Sequence, residues 1–179
     1  ALILSIDKSA ALEIDGVLAV FTLDDFRPHL ATERMAVGLP SPSYKQERDR
    51  PVLADEEVVH VGEAVAIVVA ESRYIAEDAA SMVFVDYDPL IPVADCREAL
   101  KPGATLVHRD APHNELAAFD LGYGEVDQVF STAPHVYAES FWQHRGGSHS
   151  IEGRGCVAIY NEIKQQLTFF SSTQASHSA

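Results

Sequence analysis

The 179-residue chain carries 27 Asp and Glu against 13 Lys and Arg, a formal net charge of -14, with 47% hydrophobic and 22% charged residues. That is the balance of a folded globular protein, long enough for one large domain or one and a half. The acidity argues against a nucleic-acid partner and an anionic membrane surface, since both need a basic face, and no apolar run approaches the roughly 20 residues of a membrane-spanning helix.

In chain order, Leu2 to Ile6 predicts a first, largely apolar strand. Ser9 is placed to cap a short helix running to Glu13, and Gly16 to end it in the left-handed conformation. Val17 to Phe21 is the next strand. Leu23 to Asp49 has no sustained period and holds Pro28, Pro40 and Pro42, which predicts a long surface loop with at most one helical turn. The most apolar run, Ala64 to Ala70, lies between Gly62-Glu63 and Glu71-Ser72. It predicts a strand buried on both faces, with Gly62 in a turn and Ala66 and Val68 in the best-buried strand. Ser72 caps a helix in which Ile75, Ala76, Ala79, Met82 and Val83 recur at helical spacing, and Val83 to Tyr87 reads as a further strand closed by Asp88-Pro89. Strand, helix and strand in that order make a βαβ-like unit, an order that does not by itself set the strands parallel.

Leu90 to Val93 predicts a short edge strand, because proline cannot donate in a sheet interior. Asp95 to Glu98 has capping-box spacing before a short helix stopped by Pro102-Gly103. Val126, Val129 and Phe130 share one face of a helix from Glu125 to Ser131, which Pro134 ends. Three strands follow, at His135 to Gln143, Gly155 to Tyr160 and Gln166 to Ser171, the last two joined by a turn at Asn161 to Gln165. Phe141 and Trp142 are expected in the core. Cys96 and Cys156 lie far apart, fit no metal spacing and suit a reducing cytoplasm. The chain opens inside a strand pattern and stops just after another, which reads as a piece of a longer protein.

The richest chemistry lies in Gln143 to Gly155, which holds His144, His149, Arg145, Arg154, Glu152 and four glycines, Gly155 included. Glycine lets backbone approach a ligand, two guanidiniums bind phosphate or carboxylate in a fork, and imidazole is an acid or base near neutral pH. The plain reading is a polar loop with a surface salt bridge from Glu152 to an arginine. His144 and His149, five apart, fit no zinc spacing, and no nucleophile elbow or Ser-His-Asp arrangement occurs.

The ordered series Arg50-Pro51-Val52-Leu53-Ala54, Val61-Gly62-Glu63, Ala76-Glu77-Asp78-Ala79-Ala80 and Val85-Asp86-Tyr87-Asp88-Pro89-Leu90 resembles a known family. So do Ile6 to Ala10 and Gly16 to Thr22. It is the α/β hammerhead region that opens the molybdenum-cofactor subunit of the xanthine dehydrogenase, aldehyde oxidase and carbon monoxide dehydrogenase large-subunit family. Arg145 with Glu152-Gly153-Arg154-Gly155 resembles the family segment beside the molybdenum pocket, and Ser171 to Gln174 its Ser-Thr-Gln strand end. Gly146 stands where some members place a glutamine near the metal, and Gly153 where the family has proline.

These readings together give an α/β (α+β) fold with a mixed sheet and flanking helices, hammerhead-like, over residues 1–103. A connecting segment with a short helix spans 104–134, and a strand-rich, truncated start of a molybdenum-cofactor-binding domain spans 135–179. The resemblance implies a fragment of a molybdenum hydroxylase oxidising an aldehyde, an N-heterocycle or carbon monoxide with water-derived oxygen. It implies a pocket wall at Arg145, Gly146, Gly147, Glu152 and Gln174, with no catalytic residue and no protein metal ligand in this stretch. It further implies a molybdenum-pterin cofactor held mostly by residues beyond these, iron–sulfur clusters and FAD on partner subunits or domains, a small-molecule substrate, and an oligomer when complete. The rival readings are a non-catalytic scaffold or interface fragment and a small-ligand binding domain.

Overall fold

The first strand, β1 (Leu2–Asp7), is hydrogen-bonded along both edges. It pairs antiparallel with β6 (Phe84–Asp88), in the register Leu2 to Asp88 and Asp7 to Phe84. Along its other edge runs the segment 56–58: the Ile3 amide donates to the Glu56 carbonyl, and Ala1 and Val58 exchange both hydrogen bonds, each at 2.9 Å. This is a computed structural model; it describes residues 1–35, 41–46, 49–143, 146 and 151–173, and falls into two units, Ala1–Tyr123 and Gly124–Ala179.

In the first unit, α1 (Ser9–Leu12) leads to β2 (Val17–Phe21), which pairs antiparallel with β5 (Ile67–Ala70). Helix α3 (Arg73–Ala80) closes the core: Ala11, Val20 and Ala79 are buried together, with Ile14, Val17, Ala66, Val68 and Val83 packed around them. Alanine on both helices keeps them close to β2. Ser72 caps α3 as expected, its hydroxyl accepting from the Ile75 amide at 3.3 Å. Gly16 is left-handed at φ +86°, and a Cβ there would stand 2.8 Å from Ile75 Cδ1, so geometry and space both require glycine.

The α/β class with helices beside its sheets holds. Its described strand pairs are four two-stranded antiparallel ribbons, and β5 and β6 pair with β2 and β1 rather than with each other. Four local expectations are corrected. Ser9 is not the cap of α1: Lys8 takes that position, and the Asp7 carboxylate accepts from the Ser9 amide and hydroxyl at 2.9 and 2.6 Å. The apolar run becomes a strand only from Ile67, and its outer face is open, with Ile67 42% and Val69 38% exposed. The best-buried strand residue is Val20, at 4%, because β2 lies under both helices. Leu90 to Val93 has no strand geometry, since Pro89 and Pro92 remove two of the amides a ladder needs. Gly62 does sit in a turn, at φ +89°, beside the bond from the Glu63 amide to the His60 carbonyl.

The segment after β2 is more ordered than a surface loop. It folds into α2 (Leu23–Phe26), a 3-10 turn at Arg27–His29, and β3 (Arg34–Met35), which pairs with β4 (Arg50–Pro51). Leu23 is buried, the Phe21 and Phe26 rings stand 5.3 Å apart, and Arg27 binds the carboxylates of Asp24, Glu33 and Asp55. Residues 41–46 are tied to 113–118 through Lys45 N–H to Leu116 and Ala118 N–H to Ser43, both 2.9 Å. Further on, Asp95 caps α4 (Cys96–Ala99) by accepting from the Arg97 amide at 2.8 Å. Asn114 clips the following chain, accepting from Val107 at 2.8 Å and donating to Ala99 and Thr105 at 3.0 and 2.8 Å.

Asp25 joins α2 to β1. Its carboxylate accepts from Lys8 Nζ and from the Thr22 amide, each at 2.7 Å, and these bonds lower its pKa from 3.8 to about 2. The folded pKa is the depressed one, so the stability Asp25 provides is complete above about pH 4 and is lost as pH falls through about 2. The thermal midpoint of the native chain is therefore expected to drop more steeply between pH 4 and pH 2 than that of Asp25→Asn. Parallel acid profiles would remove Asp25 from the account.

The second unit contains α5 (Val126–Thr132) and the hairpin of β7 (Cys156–Asn161) with β8 (Gln166–Ser171). The turn between them works without glycine: the Asn161 side chain accepts from the Lys164 amide at 2.9 Å, and Gln165 takes the left-handed conformation at φ +49°. The strand expected at His135 to Gln143 is not formed, and Phe141 and Trp142 are exposed rather than in a core. A strand needs an edge to pair with, and among the described residues none is offered to this run.

Candidate functional site

The register of the β7–β8 hairpin assembles the site. Cys156 stands opposite Ser171, so the chain entering β7 and the chain leaving β8 meet at the same open end. The Ser172 amide donates to the Gly155 carbonyl at 3.4 Å and ties the two together. Gly155 is thereby brought beside Ser172, although 16 positions separate Gly155 from Ser171 in the sequence. Two-residue alternation with an antiparallel register produces this meeting, which neither segment announces alone.

Of the residues singled out from the sequence, Gly146 and Glu152 are described and exposed. Arg145, Gly147 and Gln174 lie outside the described residues, as do His144 and His149. Arg154 is exposed, and a Cβ on Gly153 or Gly155 would meet nothing within 4 Å, so backbone here is open to close approach. The end of the hairpin therefore offers a guanidinium, three hydroxyls and accessible amides. That donor set suits a ligand rich in phosphate oxygens and heteroaromatic acceptors.

The displaced carboxylates elsewhere have local structural causes. Arg97 beside Asp95 holds that carboxyl well below its usual range, and the Ser9 hydroxyl and amide lower Asp7; both are cap or turn contacts. Two grooves in the first unit were not foreseen. One, of about 740 Å³, runs past β1 and α2 with Lys8 and Arg109 facing Asp24, Asp25 and Asp55. The other, of about 570 Å³, lies between residues 58–63 and 90–93. Each is built from segments far apart in sequence, so no local pattern signals it.

Residues 1–91 match the aldehyde oxidase and xanthine dehydrogenase a/b hammerhead domain, and residues 107–179 match the molybdopterin cofactor-binding domain. The chain belongs to this family. It is 34% identical to the carbon monoxide dehydrogenase large chain of Afipia carboxidovorans, over 99% of this chain and 22% of that one. It is likewise 34% identical to the nicotine 6-hydroxylase large subunit of Paenarthrobacter nicotinovorans, over 99% of this chain and 21% of the relative. Among solved structures, quinoline 2-oxidoreductase from Pseudomonas putida 86 superposes with a TM-score of 0.81 at 31% identity, covering 97% of this chain and 22% of that one. The chain thus spans about one fifth of the length of these relatives. No helix among the described residues is long and apolar enough to cross a membrane.

Proposed function

We propose that this chain is part of the large subunit of a molybdenum hydroxylase, and that its hairpin end forms part of the wall of the cofactor pocket. The observation that carries the reading is the register that sets Gly155, three residues after Glu152, beside Ser172. In the complete subunit Arg145, Gly146, Gly147, Glu152 and Gln174 line this wall. When bound, the molybdenum-pterin group supplies the oxidation of an aldehyde, an N-heterocycle or carbon monoxide with oxygen from water, and iron–sulfur clusters and FAD on partner subunits or domains carry the electrons away.

The protein's own part is binding and orientation. A guanidinium stays protonated, so Arg145 is a clamp for phosphate or carboxylate and not a base. Glu152 orients Arg145 or Arg154. Glycines at 146, 147, 153 and 155 let the main chain present its amides directly. The assembled enzyme works in the cytoplasm, where the exposed thiols of Cys96 and Cys156 stay reduced.

The isolated chain is expected to hold no stoichiometric molybdenum and to reduce no dye with aldehyde, while the complete subunit does both. Metal analysis and dye reduction on the two preparations make the comparison. Stoichiometric metal with turnover in the isolated chain would refute the assignment of cofactor binding to the longer polypeptide.

A further inference from the structure

The outer edge of β1 loses its neighbour partway along the strand. Ala1 and Ile3 bond to residues 56–58 on that edge, and the pairing stops there because the Ala54 amide turns away to the Ala64 carbonyl at 2.8 Å. The register with β6 shows what is left open. The Ile3 amide points to Glu56, so Tyr87, opposite Ile3, is likewise turned out of the β1–β6 pair. Alternation along β6 then turns Asp86 and Phe84 inward and Val85 out. After a one-residue slip between Ile3 and Ser5, Ile6 stands opposite Val85, and its N–H and C=O face the vacated edge. The Ile6 amide makes no hydrogen bond among the described residues. A groove of about 740 Å³ runs along this edge, with the buried Leu23 and Ala54 in its lining.

We propose that this edge docks an extended, Lys- and Arg-bearing segment of a partner subunit, which adds a short strand beside Leu4 to Ile6. Main-chain groups of the added segment supply the acceptor and donor that the Ile6 N–H and C=O lack, which is how a strand edge recognises an extended peptide. The alternating side chains of the segment then choose the partner. The inference rests on the reading that this chain is part of the large subunit of an enzyme with partner subunits.

The charge of the walls selects a basic segment. Asp24, Asp25, Asp55 and Glu56 line the groove against Lys8 and Arg109. Lys8 is taken by Asp25, and Arg27 is shared among Asp24, Glu33 and Asp55, three carboxylates to one guanidinium. Asp24 is 73% exposed at its side chain, and Glu56 is exposed and pairs with no cation among the described residues. Lysine or arginine on the added strand reaches these two carboxylates, whereas an acidic segment is repelled. A second copy of a chain with net charge -14 brings like charge with it.

Amide hydrogen exchange on the complete subunit, alone and in the assembled enzyme, tests the docking. The Ile6 amide is expected to exchange on the order of a hundred-fold more slowly in the assembled enzyme. Glu56→Lys, a change at an exposed side chain, is expected to weaken association with the partner subunit about ten-fold at low salt, and the difference to shrink as salt rises. Rapid exchange of Ile6 in both preparations overturns the proposal. So does full protection in the complete subunit alone, which assigns the groove to that subunit's own chain, and so does association that Glu56→Lys leaves unchanged. An assembled enzyme that holds molybdenum and turns over, yet leaves Ile6 unprotected, defeats this inference and leaves the cofactor reading standing.

Discussion

Replacing Val20 with Asp is expected to destabilise the first unit strongly. Val20 is 4% exposed and lies between the two alanines, Ala11 and Ala79, that bring α1 and α3 onto β2. No cation belongs to that cluster, so the new carboxylate is either buried without a partner or drags β2 out of the core. A buried, unpaired charge costs about 3–5 kcal/mol, against a total stability of about 5–15 kcal/mol for a domain. Val68→Asp, on the strand opposite, is expected to cost roughly half as much, because Val68 is only partly buried and its carboxylate reaches water. Urea midpoints of the two variants make the comparison. Equal losses, or an unchanged midpoint for Val20→Asp, would displace β2 as the centre of the core.

In the complete subunit, Arg145→Ala is expected to lower molybdenum content or raise the substrate KM by about 10- to 100-fold. That is the worth of one or two charge-assisted hydrogen bonds of about 1.5–3 kcal/mol. In the 179-residue chain the same change is expected to move stability by no more than about 0.5 kcal/mol, as a surface substitution does. Normal metal content with normal kinetics in the complete variant would return the loop to a polar connection between strands, whatever its stability.

Elements written by local rules were legible. Leu2 to Ile6, Val17 to Phe21 and Gln166 to Ser171 carry strand residues, Ser72 and Asp95 carry caps, and Gly16 and Gly62 carry the left-handed turns. What escaped is fixed at a distance. Arg34–Met35 finds Arg50–Pro51 far along the chain, while Arg27 ties Asp24, Glu33 and Asp55 together on either side, and nothing local predicts that pairing. Leu90 to Val93 and His135 to Gln143 have strand composition, but composition becomes a strand only where an edge receives it. Burial was overread at Ala64 to Ala70 because an apolar run does not say how many of its faces are covered. For the candidate site, the residue types and the resemblance pointed to Glu152 and its neighbours, whereas the meeting of Gly155 with Ser172 is a property of register.

The β7–β8 hairpin has a consequence for the life of the chain before assembly. One face carries Val157, Ile159 and Phe170, the other Tyr160, Leu167 and Phe169, and all six are more than half exposed. Neither strand contains a charged residue or a proline, so each is a six-residue segment of the kind that stacks into cross-β aggregates, with no gatekeeper inside it. The acidity that keeps the rest of the molecule dispersed is absent from these two strands. At about 5–20 residues per second of synthesis, the first unit has all its strands before the hairpin emerges, and the hairpin then waits, uncovered on both faces. Overproduced alone, the chain is expected to aggregate through residues 156–161 and 166–171, and a charge placed at Thr168 to raise its soluble fraction.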